Sequence, residues 1–322
     1  MLKVIFQLFF IQNLYIFKNI LDKITPNFKF KRSFVLFKFP SFKQMYKDEI
    51  RTLKRFRQYF RYHLATNICK NEIKEFENFI NKNLIWEKLF SSNFYRANTI
   101  LYRYCDNRLN EKERLEMIIQ NFNLAKTFLG EKKLNELLEK KKILLFKFDE
   151  NLFLYLNINN IDPLEGFFSI NIQTKDEKIY DASFSFVAPN SLLISSMQGS
   201  NEPNTPDLIK QATKQMHGIR PAFMIVNVFK MICEIKNFSL LGIPKENQAK
   251  FRRNDHSRLL FDYDEFWREN GGKFGEKYYE IPLNIERKSL EEIQSKKRSM
   301  YKKRFEMLDI VKNSLQIYFQ NL

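Results

Sequence analysis

One histidine stands where it could act as a general base. His217 follows a predicted helix and is itself followed by Gly218 and Arg220. A free imidazole titrates near neutral pH, which suits it to accept a proton during catalysis. A histidine in the last turn of a helix can also cap free carbonyl groups and interact with the helix dipole. His217 is therefore a catalytic candidate with a structural alternative.

Four carboxylates occur close together near Trp267, namely Asp262, Asp264, Glu265 and Glu269. Carboxylates at this density could bind a cation or act as acid and base, and Glu265 is the second candidate base. On a helix Glu265 and Glu269 share a face, whereas Asp262 and Asp264 do not. Asp262 or Asp264 also suits the start of a helix. The EF-hand pattern is absent, so we predict no metal site.

The composition excludes several other kinds of site. Three widely spaced cysteines are too few for a disulfide framework or a Cys-rich zinc site, and three histidines leave little for a histidine-rich metal centre. His256 lies in a polar, loop-like segment, and His63 is expected to face solvent from a basic helix. With 44% hydrophobic residues, the 322-residue chain can bury a substantial core.

The net charge of +17 is concentrated at the two ends of the chain. Residues 1–60 hold 13 Lys and Arg against 3 Asp and Glu, and residues 286–322 hold 9 against 5. Basic residues interleaved with aromatic residues near the N-terminus suit anionic lipid head groups or nucleic acid. Lys, Asn, Ile and Phe are also abundant throughout, as A·T-rich codons would produce. We expect contact with an anionic membrane surface through the N-terminal segment more than specific nucleic-acid binding, and the sequence does not identify a protein partner.

The N-terminal apolar stretch, Val4 to Phe17, is too short for the ~20 residues of a spanning helix and has no small-residue cleavage site after it. Its spacing fits an amphipathic helix that lies on a membrane or packs on the domain. We therefore expect neither a transmembrane helix nor a signal peptide. The expected location is the cytoplasm, with peripheral contact at the inner membrane.

The periodicity of apolar residues changes in the middle of the chain. From Gln44 to Glu139 it is helical, and Asn110 with Glu113 fits a capping box. From Ile143 alternation with a period of two predicts an antiparallel meander of strands that ends with Leu192–Met197, with one apolar face covered by helices. Thr205 is expected to cap the next helix.

After the meander, predicted helices and strands alternate along the chain. An apolar helix from Pro221 is too hydrophobic to read DNA bases, and strands are expected at Phe238–Ile243 and Lys277–Pro282. A short helix is expected at Tyr263–Glu269, and Ser289 with Glu292 should cap the last helix. The predicted fold class is α+β. We expect a basic segment, residues 1–41, and one domain, residues 42–320, that is helical over 42–140 and sheet-plus-helix over 141–320.

Five motifs between Ser196 and Leu308 carry a resemblance. They are Met197–Gly199, Ala212–Pro221, Asp262–Gly272, Tyr278–Pro282 and Ser295–Arg304. In this order they resemble the VirK/YbjX family of bacterial proteins, a domain-of-unknown-function family, and the similarity extends more loosely from Phe42. The motif residues are Gln198, Gly199, Lys214, His217, Gly218, Arg220, Pro221, Asp262, Asp264, Trp267, Gly271, Gly272, Lys296, Arg298, Tyr301 and Arg304.

The resemblance implies a physiological role but does not imply a particular reaction. The family is associated with envelope stress, virulence and resistance to antimicrobial peptides, and it has no established catalytic activity. The expected function is therefore that of a stress and peptide-resistance factor.

The order of elements also resembles acetyltransferase-like (GNAT) folds, where a strand leads into a loop and a helix N-terminus that bind the pyrophosphate of coenzyme A. Here Gln198–Asn201 would be the loop and the helix from Pro206 the anion-facing terminus. Only one glycine lies in that loop, and Asp207 puts a negative charge beside it. Coenzyme A or acyl-coenzyme A is expected only in this alternative. An open gap between strands near Gln198–Gly218 would favour a cofactor cleft, and a closed sheet would favour a binding role.

Overall fold

The structure, a computed structural model, describes residues 36–252 and 261–320. The chain divides into two compact units, residues 1–37 and 38–322, and the second contains the elements described here. The expected helix at Val4–Phe17, most of the basic segment 1–41, and His256 lie outside the described residues.

The first half of the second unit is helical, as predicted. Asn110 and Glu113 form the expected capping box: the Asn110 side chain accepts from the Glu113 N–H, and the Glu113 carboxylate accepts from the Asn110 N–H, each at 3.0 Å. The long helix that follows is kinked at Gly130, where φ is 69°. The helices are α1 (Phe42–Met45), α2 (Thr52–Ile68), α3 (Lys70–Lys82), α4 (Glu87–Ser92), α5 (Asn98–Leu101) and α6 (Glu111–Lys140).

An eight-stranded mixed sheet forms the second half, and together with the helices it confirms the α+β class. Its order is β1-β2-β3-β4-β5-β6-β8-β7. Neighbouring strands are antiparallel except β5 and β6, which are parallel. The strands are β1 (Lys142–Asp149), β2 (Leu152–Ile158), β3 (Phe168–Gln173), β4 (Lys178–Val187), β5 (Ser191–Gly199), β6 (Ser239–Gly242), β7 (Lys273–Phe274) and β8 (Tyr279–Ile281).

Four further helices complete the described part. They are α7 (Thr205–Gln215), α8 (Pro221–Lys236), α9 (Tyr263–Glu269) and α10 (Ser295–Gln320). Ser289 and Glu292 do exchange the predicted hydrogen bonds, but these close an isolated turn, and the last helix begins at Ser295. Thr205 is the first residue of α7 and does not cap it, since Asn204 holds the N-cap position.

The two faces of the sheet differ in chemistry. Aromatic side chains of one face pack on the long helices. Phe184 lies 5.2 Å from Phe229 of α8, and Phe186 lies 4.9 Å from Phe128 of α6 (ring centroids). The opposite face of the central strands is polar and yet also buried. It includes Asn157, Ser169, Asn171, Asp181, Ser183 and Ser196.

Within the described residues no helix combines the length and the apolar character that a membrane-spanning segment requires.

Candidate functional site

The two parallel strands of the sheet, β5 and β6, pair only along the first half of β5. They pair from Ser191 with Ser239 to Ile194 with Gly242, and the Ile243 N–H donates to the Ile194 carbonyl at 3.0 Å. β5 continues to Gly199 without β6 beside it. Ser195 is a β-bulge, because Phe184 pairs with Ile194 while Ser183 pairs with Ser196. The second half of β5 therefore has no strand partner on the side of β6.

Helix α9 stands on this side of β5. The Trp267 indole Nε1 donates to the Ile243 carbonyl at 2.7 Å, where β6 ends. The Tyr263 hydroxyl accepts from the Met197 N–H at 3.1 Å and lies 3.4 Å from the Met197 carbonyl. A tyrosine hydroxyl therefore takes the place of a strand partner on the free edge of β5.

A cavity of about 1240 Å³ opens beside the free part of β5, and we call it the β5 cavity. It contains both charged and aromatic side chains and the two motif residues at the end of β5. Its walls include Arg61, Tyr95, Arg103, Asp162, Glu165, Tyr180, Ser196, Gln198, Gly199, Lys250, Arg252, Phe261 and Tyr263.

Glu165 is the buried carboxylate of the β5 cavity, with a side chain 2% exposed. Its Oε1 accepts from Gln248 Nε2 at 2.7 Å and lies 3.0 Å from Lys250 Nζ. Its Oε2 is buried and has no hydrogen-bond partner among the described residues. Burial raises the pKa of Glu165, and the positive charge of Lys250 only partly opposes this. A carboxyl with one free oxygen and a raised pKa in a cavity is a group that can exchange a proton.

The position of Glu165 follows from the turn between β2 and β3. The Asp162 side chain caps a 3₁₀ turn, Pro163–Glu165, by accepting from the Leu164 N–H. Gly166 follows with φ of 120°, and a Cβ there would lie 2.6 Å from the Phe184 carbonyl oxygen, so only glycine fits. The hydroxyl of the bulge residue Ser195 donates to the Glu165 carbonyl. The turn and the bulge therefore hold each other in place.

Basic side chains form the opposite part of the wall. Lys250 faces Glu165 and Asp162; burial tends to lower its pKa, but the two carboxylates outweigh burial and raise it. Arg61, Arg103 and Arg252 have no carboxylate partner among the described residues. Burial, followed by the positive charges of Arg252 and Arg61, lowers the pKa of Arg103. Three arginines on one cavity wall that form no ion pair within the described residues favour an anionic ligand.

The loop after β5 differs from the sequence expectation. The Ser200 N–H donates to the Ile179 carbonyl, and the Thr205 N–H donates to Glu202. The Asp207 and Leu208 N–H groups both donate to the Asn204 carbonyl, and Pro206 has no N–H. The first turn of α7 therefore has few amides left for a pyrophosphate. Arg61, Arg103 and Arg252 are the cationic groups of the cavity wall that form no ion pair among the described residues, whereas Lys250 pairs with Asp162 and Glu165.

The two predicted bases lie outside the β5 cavity. His217 sits in the turn between α7 and α8 with φ of 51°, half-buried, and its carbonyl accepts from Arg304 Nε at 3.0 Å. Glu265 is exposed on α9 and pairs with Arg268 at 3.1 Å. Their catalytic assignment stays a prediction.

The other acidic motif residues have structural contacts. The Asp262 side chain caps α9 by accepting from the Glu265 N–H at 3.1 Å, as its alternative role predicted. Asp264 accepts from the Lys245 N–H at 3.2 Å. Among the described residues no group of three His, Cys, Asp or Glu side chains could hold a metal ion.

Several motif residues gather at a second concavity of about 710 Å³, which we call the α8 groove. Arg304 joins its two sides, because the guanidinium lies over the Tyr301 ring at 4.2 Å while Nε donates to His217. Gly218 has φ of 85°, in the left-handed region that favours glycine, and its Cα faces the Arg304 guanidinium. Motif residues that line the groove are Gly218, Arg220, Gly271, Tyr301 and Arg304.

The remaining motif residues support helices and turns. Pro221 begins α8, and the Gly272 Cα lies so close to the Trp267 carbonyl that a Cβ would meet its oxygen at 2.8 Å. Arg298 Nε donates to the Ile293 carbonyl at 3.0 Å. Lys214 and Lys296 are exposed.

Sequence reasoning missed Glu165 and Lys250. The two residues are separated by 85 positions, and neither stands in a recognisable motif. A carboxylate before a glycine in the short turn between two apolar strands was the one signal for Glu165, and it is a weak one.

Comparison with known proteins gives several matches. A family profile described as "Protein of unknown function (DUF535)" matches residues 51–317. An uncharacterized protein of Haemophilus influenzae is 47% identical over 277 residues, which cover 85% of this chain and 95% of that protein. The protein named membrane protein LapB of Mannheimia haemolytica is 30% identical over 220 residues, 67% of this chain and 95% of LapB. The uncharacterized protein YbjX of Escherichia coli is 27% identical over 135 residues, 40% and 41% of the two chains. No solved structure matches the chain.

Proposed function

The chain belongs to the DUF535 family of proteins of unknown function, and we propose that it is an acyl-coenzyme A-dependent transferase that works in the β5 cavity. The similarity to YbjX and LapB confirms the resemblance to the VirK/YbjX family. The observation that carries the proposal is the gap where β5 continues without β6, with a buried carboxylate beside it. Helix α9 fills part of the gap with Tyr263 and Trp267, and the β5 cavity beside it is the space that supports a cofactor cleft.

The strand order adds support. A single parallel pair inside an otherwise antiparallel sheet, a bulge at Ser195 on the strand that leaves the pair, and two helices between the paired strands agree with the acetyltransferase-like order of elements. This agreement is one of topology, and the chemistry must be argued from the residues.

The residues present suit such a cofactor. Coenzyme A carries several phosphate charges, and Arg61, Arg103 and Arg252 line the cavity without counter-charges among the described residues. A volume of about 1240 Å³ is large enough for a cofactor site. Because the amides at the start of α7 are engaged within the loop, these arginines are the groups that would bind the phosphates.

Bound acyl-coenzyme A would supply an acyl thioester, whose C–S bond would be replaced by a C–N or C–O bond to an amine or hydroxyl of the acceptor, with release of coenzyme A as its thiol. Glu165 Oε2 is free to accept the proton that the acceptor loses. Gln248 and Lys250 hold the other oxygen and so fix the carboxylate. His217 and Glu265 are the alternative bases that the sequence suggests.

Calorimetry with acetyl-coenzyme A and with a long-chain acyl-coenzyme A tests the proposal on the full chain. We expect binding to one or both, and weaker binding by Arg103→Gln and Arg252→Gln. The matched control is Lys296→Gln, which removes one exposed charge far along the chain on α10. No heat with either compound, at concentrations well above typical affinities, would overturn the proposal.

At the level of the cell we propose the role that the family resemblance implies, resistance to antimicrobial peptides under envelope stress, exerted from the cytoplasm or the inner face of the membrane. The name of the LapB relative, a membrane protein, supports a place near the envelope. Deletion of the gene should raise sensitivity to polymyxin-class peptides. Unchanged sensitivity would count against the role, and calorimetry tests the transferase independently.

Nucleic-acid binding remains the third hypothesis, supported by the basic ends of the chain. It requires an affinity for DNA that falls steeply as salt rises. A flat salt dependence would exclude it.

A further inference from the structure

Helix α2 carries an exposed apolar stripe. Leu53, Phe56, Phe60 and Leu64 are 87, 63, 57 and 63% exposed. Their spacing of three, four and four residues places them on one face of the helix. A contiguous row of exposed apolar side chains on a soluble surface marks an interaction site.

The orientation of this stripe is fixed by the opposite face of α2. The Tyr62 side chain is buried, and its hydroxyl donates to the Pro40 carbonyl at 2.8 Å. Ala65 and Cys69 are buried on the same side. The apolar stripe therefore points away from the domain and cannot turn inward without breaking these contacts.

Basic side chains border the stripe on the side of the β5 cavity. The helix holds Lys54, Arg55, Arg57 and Arg61, and it contains no Asp or Glu. Glu49, which precedes the helix, pairs with Arg51 and Lys54 and leaves Arg57 and Arg61 without an ion pair among the described residues. A second cleft of about 620 Å³ is lined by Arg51, Lys54, Arg57, Gln58, Arg61, Tyr95 and Arg252. It shares Gln58, Arg61, Tyr95 and Arg252 with the β5 cavity, so α2 stands at the mouth of that cavity.

We propose that α2 docks the mouth of the β5 cavity on an anionic lipid surface. The apolar stripe would enter the boundary between head groups and acyl chains, and the basic edge would contact lipid phosphates. Charge decides between the possible occupants of this face. A second copy of the chain in a twofold dimer would bring the same basic edges together, which repel each other, whereas an anionic bilayer complements them.

Docking at α2 extends the proposed function, and only its link to acyl transfer rests on that proposal. If the cavity transfers acyl groups, its mouth on the membrane means that the acceptor or the acyl chain reaches it from the lipid phase. Docking itself needs no acyl-coenzyme A.

Flotation of the full chain with vesicles tests the docking, in the absence of coenzyme A. Vesicles of phosphatidylglycerol and phosphatidylcholine in equal parts should bind the chain, and vesicles of phosphatidylcholine alone should bind it far more weakly. The double substitution Phe56→Ser with Phe60→Ser should weaken binding at least about tenfold. Its control, Ile310→Ser with Ile317→Ser, removes two apolar side chains of α10 that are 58 and 67% exposed and should change nothing.

A second pair of variants tests the charges. Arg57→Gln with Arg61→Gln should weaken binding by about fivefold for each charge. Lys296→Gln with Lys297→Gln removes two exposed charges of α10 and should have a much smaller effect. Circular dichroism confirms that each variant is folded.

Three results would overturn the docking proposal. They are equal binding by the Phe56 and Phe60 variant, binding that does not depend on phosphatidylglycerol, and a dimer in solution that the Phe56 and Phe60 substitutions dissociate. If vesicles bind as expected while calorimetry gives no heat with acyl-coenzyme A, docking stands and the transferase proposal falls.

Discussion

The Trp267 indole packs against Gly242, the last residue of β6. A Cβ built on Gly242 would be only 2.6 Å from ring atoms Cδ2 and Cε2 of the indole. The indole Nε1 meanwhile donates to the next carbonyl, that of Ile243. The packing of the Trp267 ring on Gly242 therefore defines where β6 ends. This is also the point where β5 and β6 separate.

Gly242→Ala should destabilise the protein by about 1–3 kcal/mol, because the added methyl group overlaps a fully buried ring that cannot move aside. Urea unfolding measures the change. Gly199→Ala on β5 is the matched control: its Cβ would lie 3.6 Å from the Tyr180 ring, an ordinary contact, so less than about 1 kcal/mol is expected. Equal effects at the two glycines would contradict the packing argument.

Tyr263→Phe removes the hydroxyl that accepts from the Met197 N–H on the free edge of β5. The cost should be about 1–3 kcal/mol, since the amide is left in a buried place without its partner. Thermal unfolding measures it, with the exposed Tyr59→Phe as control. Stability equal to that of the wild type would mean that the hydroxyl is not needed to hold the edge.

Asp181 should make the protein less stable as the pH rises. It is 4% exposed on the polar sheet face, its Oδ1 has no partner among the described residues, and burial raises its pKa from 3.8 to about 6. Because the folded state holds the proton more tightly, this contribution to stability is complete below about pH 4 and is lost as the pH rises through 6. Asp181→Asn should therefore gain up to about 3 kcal/mol at pH 8 relative to the wild type and little at pH 4.

Urea unfolding at several pH values measures that difference. Asp176→Asn, in an exposed turn, is the control and should not alter the pH profile. A gain for Asp181→Asn that is the same at pH 4 and pH 8 would show that titration of Asp181 is not its cause.

Glu165→Gln should lower acyl transfer by about 10²–10⁴-fold if Glu165 is the base. The raised pKa of Glu165 places the rise of the wild-type rate at a pH above the ordinary carboxylate range. The variant should lack that rise. His217→Asn and Glu265→Gln are the comparison variants, and a loss confined to either of them would give the role to the sequence-predicted residue.

Local signals predicted the secondary structure well. Strict alternation located β2 to β5, and the caps at Asn110 and Asp262 formed as their side chains required. The capping pattern at Ser289 also formed, yet it did not begin a helix, because a cap satisfies one turn and cannot by itself extend it. β7 is two residues long and left no periodic signal.

The site was less accessible to sequence reasoning. The sequence left open whether the sheet is gapped or closed near Gln198, and the residues that line the β5 cavity depend on tertiary packing. Glu165 and Lys250 meet only because a turn between strands and a segment after β6 approach each other. The burial of Asp181 was also unforeseen, since an alternating strand with a polar face is normally expected to expose that face.

The walls of the β5 cavity come from segments about a hundred residues apart, with Arg61, Glu165 and Tyr263 each in a different one. Closing such long loops has an entropic cost that is recovered only when the distant contacts form. The cavity should therefore be assembled late in folding, after the meander of neighbouring strands. Ligand binding at the β5 cavity should therefore require the complete native state. A partly folded chain that retains its β-hairpins will have secondary structure but no formed cavity.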